Sequence, residues 1–298
     1  MRLSRITLAR KDEIDRSLAL RTHTLAAYSF SSIYIWKKLY NIFSAPVEGN
    51  CCVFFKDNLG CFTYLAPLGG KIRPAAVEGC FKIMDRFNSH RAVSRIENVE
   101  EEDLDLFHKL GYVSEEKPGD YICKREVLAA LKGDRFKSKR ASCNFFAANY
   151  DFRYRPFEAK DKKEAIRLYR RWAKQRAGKF SDKIYLGMIQ DSLLCQVEAM
   201  DGFKALGLLG RVIEIERRMA AYTIGYPLNR ETFCVLFETT DLSVKGAAQY
   251  IFRRFCEELE YEYINIMDDS GLENLKKVKL SYHPFKTARS YIIKRPDV

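Results

Sequence analysis

"INIMDDSGLENLKKVKLSY", residues 264–282, reads as a short apolar strand, an acidic turn and a helix closing on Lys-Leu-Ser-Tyr. The same order occurs far upstream. "RIENVEEEDLDLFHKLGY", residues 95–112, has a strand-like start, a run of carboxylates and a helix closing on Lys-Leu-Gly-Tyr. In both stretches the carboxylates fall where a strand gives way to a helix, as turn and N-cap positions favour. One folding unit used twice accounts for both, and it sets the register in which the rest of the chain is read.

Working back from the second copy, "FRYRPF" (152–157) is a short alternating strand. "DKKEAIRLYRRWAKQRAG" (161–178) and "YLGMIQDSLLCQVEAMDGF" (185–203) carry apolar residues at helical spacing. Three strand-like runs follow, "RVIEIE", "RMAAYTIGYPL" and "TFCVLFETT", joined by turn-rich junctions as in a meander. A helix, "KGAAQYIFRRFCEELE", then leads to the strand "YEYINI", the helix "LENLKKVKL" and the final strand "TARSYIIKR". This β-α-α-β-β-β-α-β-α-β order resembles the GNAT acyltransferase fold, a mixed sheet that splays at its centre to admit an acyl donor.

The first half has the same order in reduced form. "RITLAR" is read as a strand, "KDEIDRSLALRTHTLA" and "SSIYIWKKLYNIF" as helices, and "NCCVFF" and "CFTYLAPLG" as strands. The helix "PAAVEGCFKIMDRFN", the strand "AVSRIE", the helix "EEEDLDLFHKLGY" and the strand "DYICKR" complete it. The fold class expected is therefore α/β, an α+β mixed sheet, as two tandem GNAT-like units. The expected boundaries are 1–125 for a non-catalytic N-terminal unit, 126–150 for a basic linker helix kinked at Gly133, and 151–298 for the catalytic unit.

The 298 residues bear 51 Lys/Arg and 39 Asp/Glu. Residues 124–183 alone hold 19 of the former and 7 of the latter, which accounts for the whole net charge of +12. That span is either a set of solvated helix faces or a surface for a polyanion. No apolar run approaches the roughly 20 residues of a membrane span, and the N-terminus lacks a signal-peptide core, so the cytoplasm is the expected location. Nine dispersed cysteines and four scattered histidines argue for buried thiols and against a metal site or a disulfide framework.

Several stretches together resemble the family of the phosphatidylglycerol lysyltransferase C-terminal domain, in which two GNAT-like units are fused as in the Fem-type peptidoglycan transferases. They are "YSFSSIYIWKKLY", "YLAPLGG", "DYICKREVLAALKGDRFKSKRASCNFF", "FETTDLSVKGAAQY" and "INIMDDSGLENLKKVKLSYHPF". Lys276, Lys279, Tyr282 and Pro284 match the lysyltransferase ending; Ala141 and Met267 depart from the stand-alone members, which favour Asn and Glu there. The resemblance implies an acyltransferase that needs no resident cofactor. Its donor would be aminoacyl-tRNA or, alternatively, acyl-CoA, and its acceptor a small molecule, a peptide or a lipid headgroup. A non-catalytic RNA- or protein-binding module on the same scaffold is the remaining alternative.

Site residues follow from fold position. Glu238 and Asp241, at the end of the strand that lies against the reacting carbonyl in this fold, are candidate proton acceptors, although Asp241 also suits a helix cap. Asp268 and Asp269, with Asn265, end the next strand and either orient an acceptor or simply form a turn. Tyr282 is a candidate proton donor or a packing aromatic, since Tyr112 holds the same place in the first copy. Ser243, Lys245, Gly246 and Ala248 occupy the donor-pyrophosphate loop, where small residues would open backbone N–H groups to phosphate or serve helix packing. Lys139 and Arg140, with Lys276 and Lys279, are expected to grip phosphate.

Overall fold

The computed structural model describes residues 3–178 and 182–296. The elements are β1 (Ser4–Arg5), α1 (Lys11–Leu18), α2 (Phe30–Tyr34), β2 (Asn41–Val47), β3 (Asn50–Lys56), β4 (Cys61–Thr63), α3 (Pro74–Met84), β5 (Ile96–Glu100), α4 (Leu104–Lys109) and β6 (Val113–Lys124). They continue with α5 (Arg125–Ala130), α6 (Lys137–Asn149), β7 (Phe152–Pro156), α7 (Lys162–Ala177), α8 (Lys183–Asp201), β8 (Leu209–Ile215), β9 (Arg218–Pro227) and β10 (Thr232–Thr240). The last four are α9 (Ala247–Glu258), β11 (Tyr263–Asn265), α10 (Glu273–Leu280) and β12 (Lys286–Lys294). Among the described residues no helix is long and apolar enough to cross a membrane.

The chain forms two compact units, and they are not consecutive in sequence. The first contains residues up to Asp120, Asp268–Leu275 and everything from Thr287; the second contains Tyr121–Met267 and Lys276–Lys286. This differs from the expected boundaries at 125 and 150, and the reason is an exchange of closing strands. In the first unit β5 pairs antiparallel with β12, Ser290 opposite Glu100 and Tyr291 opposite Val99. In the second, β11 pairs antiparallel with the end of β6, Ile264 opposite Cys123. Each unit thus takes its last strand from the other copy of the repeat.

The internal topology of the two units is otherwise the same. In the first, β2, β3 and β4 form an antiparallel meander, α3 crosses over, and β5 returns parallel to β4. In the second, β8, β9 and β10 form the meander, α9 crosses over, and β11 returns parallel to β10. A parallel return requires such a crossover, so the helix between the strands is dictated by the pairing. This is a tandem mixed α/β architecture with GNAT-like units.

In the second unit β9 is buried along nearly its whole length, because helices cover both faces. Ala221 packs with Phe146 of α6 and with Ala247 and Ile251 of α9. Its neighbour Tyr222 points the other way and hydrogen-bonds Gln196 of α8. α9 buries Ile251, Phe252, Phe255 and Cys256, an i, i+1, i+4, i+5 stripe, against the sheet. Each such large side chain contributes about 1.5–3 kcal/mol through burial. All nine cysteines are free thiols, Cys51 half-buried and the others buried.

Local differences from the sequence reading are concentrated in the first unit. The helix expected over 31–43 stops early. Asn41–Val47 instead forms β2, in continuous register with β3 from Asn41–Lys56 to Val47–Asn50, around a turn with Glu48 and Gly49 at positive φ. The strand expected at 92–97 begins only at Ile96, after a 3-10 turn over Arg91–Val93. The linker breaks where expected: Leu131 and Gly133 both have positive φ, and a 3-10 turn then leads into α6.

Candidate active site

β10 carries an irregularity that decides where its last residues point. Val235 lies opposite Gly225 and Phe237 opposite Ile224, so Leu236 is the extra residue of a bulge. Phe233 and Val235 face α9, in a cluster with Phe252, Phe255, Cys256 and Tyr282. Strict alternation would bring Phe237 to that face next. The bulge brings Glu238 there instead, where its charge acts on Tyr282, Cys256 and Lys139. Opposite the bulge the two backbones crowd together. A Cβ on Gly225 would lie 2.1 Å from the Cys234 carbonyl oxygen, so only glycine fits.

Glu238 keeps solvent access. Even so, burial pushes its carboxyl up to about 8, against the downward pull of the Lys139 ammonium. Cys256, with a thiol pushed well up by burial, is part of the surroundings.

Lys139 comes from the first turn of α6. Its Nζ lies 3.6 Å from the centroid of the Tyr282 ring and donates to Ser281 Oγ at 2.8 Å. Burial lowers the ammonium pKa, while Cys143 and Glu238 act to raise it. Tyr282 is buried, meets Phe252 edge-on at 4.7 Å, and has its phenol pushed well up, first by burial and then by the Glu238 charge. It therefore keeps its proton at any ordinary pH and serves as the platform on which Lys139 rests. The Lys-Leu-Ser-Tyr ending thus contributes by placing an ammonium through Ser281 and Tyr282. In chemical terms the cluster is a carboxyl raised towards neutrality and a cation held on an aromatic ring, at the bulged end of β10.

Residues 19–294 match the family described as phosphatidylglycerol lysyltransferase, C-terminal. The chain belongs to this family. A conserved protein of unknown function from Bacteroides thetaiotaomicron VPI-5482 is similar at 27% identity over 98% of each chain, with a TM-score of 0.86. The C-terminal domain of a putative lysylphosphatidylglycerol synthetase from Agrobacterium fabrum shares 12% identity over 98% of this chain and 93% of its own, with a TM-score of 0.66. A tandem GNAT protein from the clavulanic acid biosynthesis pathway shares 9% over 100% and 99%, with a TM-score of 0.53. These last two likenesses are of fold. No curated protein matches the sequence.

The other residues singled out in this lysyltransferase-family sequence have different surroundings. Asp241 accepts from the Ser243 backbone N–H at 3.0 Å and its hydroxyl at 2.7 Å, and pairs with Arg171 at 2.8 Å. Burial opposes ionisation, but these partners hold its carboxyl below the usual range, which makes it a poor base. Asp268 and Asp269 belong to the first unit and form turns, accepting from Ser270 N–H at 2.7 Å and Gly271 N–H at 2.9 Å. Asn265 accepts from the Met267 N–H at 2.7 Å and so braces a residue with φ of 61°.

The residues expected to hold phosphate also have protein partners. Gly246 has φ of 87°, and a Cβ there would lie 2.3 Å from the Ser142 carbonyl oxygen. Its smallness serves the approach of α6 to α9, and Ala248 is the second residue of α9 behind it. Lys245 lies over the Phe145 ring, 4.5 Å from its centroid. Arg140 donates through Nη1 to the Leu131 and Gly133 carbonyl oxygens, capping the broken helix end. Lys279 donates to the Ile266 carbonyl oxygen, while Lys276 is exposed on α10.

Two features escaped the sequence reading. The association of Lys139 with Glu238 links residues about 100 positions apart and leaves no local trace. The bulge did leave one: Cys234-Val235-Leu236-Phe237 is an unbroken apolar run next to a carboxylate, a break in alternation inside a strand.

Proposed function

We propose that the chain is an aminoacyltransferase, moving an aminoacyl group from aminoacyl-tRNA to an amine or hydroxyl acceptor. The observation that carries this reading is the bulge in β10, which turns Glu238 to the face where Lys139 rests on Tyr282, a setting that raises its carboxyl towards neutrality. A group titrating near neutrality can take a proton and return it in one cycle. The acceptor nitrogen or oxygen attacks the ester carbonyl carbon while Glu238 takes its proton. The carbonyl carbon–ribose oxygen bond then breaks, and the same proton passes from Glu238 to the ribose oxygen. No external acid, base or oxidant is consumed. Positioning supplies most of the rate, because the ester is already activated. Membership of a lysyltransferase family supports an aminoacyl group as cargo, and the close packing of Gly246 on Ser142 accounts for the glycine without a pyrophosphate.

The test is to supply the purified protein with bacterial tRNA charged with radiolabelled amino acids, together with a panel of amine, peptide and lipid acceptors. Label should move from tRNA to a product resistant to mild base for an amine acceptor, and transfer should be lost in Glu238→Gln. Transfer that is equal in wild type and variant, or label moving only from acetyl-CoA, defeats the reading.

A further inference from the structure

α7 presents five cations on one narrow stripe. Lys163, Arg167, Arg170, Arg171 and Lys174 are all exposed and follow an i, i+4, i+7, i+8, i+11 spacing. At 100° per residue they fall within about a third of the helix circumference, five cations over about three 5.4 Å turns. The only acidic residue of α7 is Glu164, paired with Arg167. Lys163, Arg170 and Lys174 form no ion pair among the described residues.

Several other cations of the basic span are occupied, although Lys132, Arg135 and Lys137 beside the linker break are exposed. Arg155 is paired with Asp161 and Glu214, Lys162 with Asp201, and Arg140 caps the linker helix. Lys139 lies on Tyr282. The longest single-faced run of exposed cations in the span is the one on α7. The stripe also has a direction: Arg171 holds Asp241, three residues beyond Glu238 on the chain that leaves β10. A polyanion lying along α7 therefore has one end near the end of the strand that carries the candidate base, on the α8 side of the sheet, and Glu238 lies round that strand end on the α9 side.

We infer that the α7 stripe is the docking surface for the acceptor arm of the donor tRNA, gripping consecutive backbone phosphates so that the aminoacylated end reaches Glu238. This rests on the aminoacyl-tRNA reading above. Three features favour a nucleic-acid backbone: the alignment of the cations along one helix face, arginine among the lysines, and the absence of exposed large apolar side chains from the stripe. An interfacial lipid-binding helix would carry such apolar residues beside its cations.

The experiment measures binding of unfractionated bacterial tRNA to the full chain by fluorescence anisotropy, from 50 to 300 mM salt. Three proteins are compared: wild type, Lys163→Glu/Arg170→Glu/Lys174→Glu, and a charge-matched control, Lys82→Glu/Arg86→Glu/Lys109→Glu, on exposed sites of the first unit. The stripe variant should lose roughly tenfold or more in affinity, and its slope of log K against log salt should shrink by about 2–3. The control should stay within about threefold. Equal losses in both variants, an unchanged slope, no binding of tRNA by wild type, or equally tight stripe-dependent binding to phosphatidylglycerol vesicles would each overturn the inference. Its failure is separable from that of the aminoacyltransferase reading. Transfer that needs Glu238 but ignores the stripe removes only the docking surface. Stripe-dependent tRNA binding without any transfer leaves the surface and removes the reaction.

Discussion

The Lys139 ammonium lies 3.6 Å above the centre of the Tyr282 ring, and its charge reaches Glu238. A cation over an aromatic face is worth about 0.5–2 kcal/mol, more as it is desolvated. Tyr282 therefore sets where the charge is, and the charge sets how much of Glu238 is ionised near neutral pH. Replacing Lys139 by Met should move the Glu238 titration upward, because the opposing charge is gone. The midpoint of transfer rate against pH should rise with it, and Lys139→Arg should restore most of the shift. An unmoved midpoint would show that the two groups are not coupled.

Transfer by the wild type should increase with pH as Glu238 loses its proton, with a midpoint near 8. In Glu238→Gln that limb should vanish, and the rate should fall by roughly 10²–10⁴ if the proton transfer is lost. Single-turnover rates between pH 6 and 9 are the measurement.

Stability should carry the same signature with a definite sign. The folded protein holds the Glu238 proton up to about pH 8, whereas an unfolded glutamate releases it near its ordinary value of 4.5. Between those values the folded state binds more protons, so this group's contribution is full below pH 4.5 and is lost progressively up to about pH 8. Urea melts of wild type and Glu238→Gln should therefore diverge across that window, the variant being the less pH-dependent. Carboxylates such as Asp161 and Asp241, held below their usual range, contribute their pH dependence in acid and leave this window clear.

Gly246→Ala should destabilise without touching Glu238. The new methyl would meet the Ser142 carbonyl oxygen at 2.3 Å, and alanine at φ of 87° is strained as well. A loss of about 1–3 kcal/mol is expected from thermal or urea melts. If donor binding changed while stability did not, the packing account of this glycine would be wrong.

Residues 126–298 expressed alone should not fold. That fragment lacks β6, and β11 would be left with Ile264 and its neighbours on an open edge. Adding back residues 113–124 should improve solubility, as judged by size-exclusion chromatography and amide exchange.

The second unit was legible because β8, β9 and β10 alternate or run apolar between clear turns, and α7 and α9 carry strong helical stripes. β2 was not, since "NIF" continues an aromatic run at helical spacing and Pro46 argues against a strand. Its identity comes from pairing with β3, which is tertiary information. Glu238 was found from fold position alone. Lys139 and Arg140 were recognised as important basic residues, but their partners, an aromatic ring and two backbone carbonyls, are set by the folded α6. Repetition pointed to two units and also misled about their edges: a duplicated sequence suggests that each copy closes itself, and here each closes the other.

That exchange has a consequence for how the chain is made. Ribosomes deliver the N-terminal residues first, and domains ordinarily begin to fold as they emerge. Here β5 must wait for β12, whose last residue follows the end of β6 by roughly 170 positions. At the usual rate of about 5–20 residues per second the nascent first unit spends roughly 10–30 s short of a strand. During that interval β5 has an unpaired edge, and a nascent chain stalled before Lys286 is a species worth isolating.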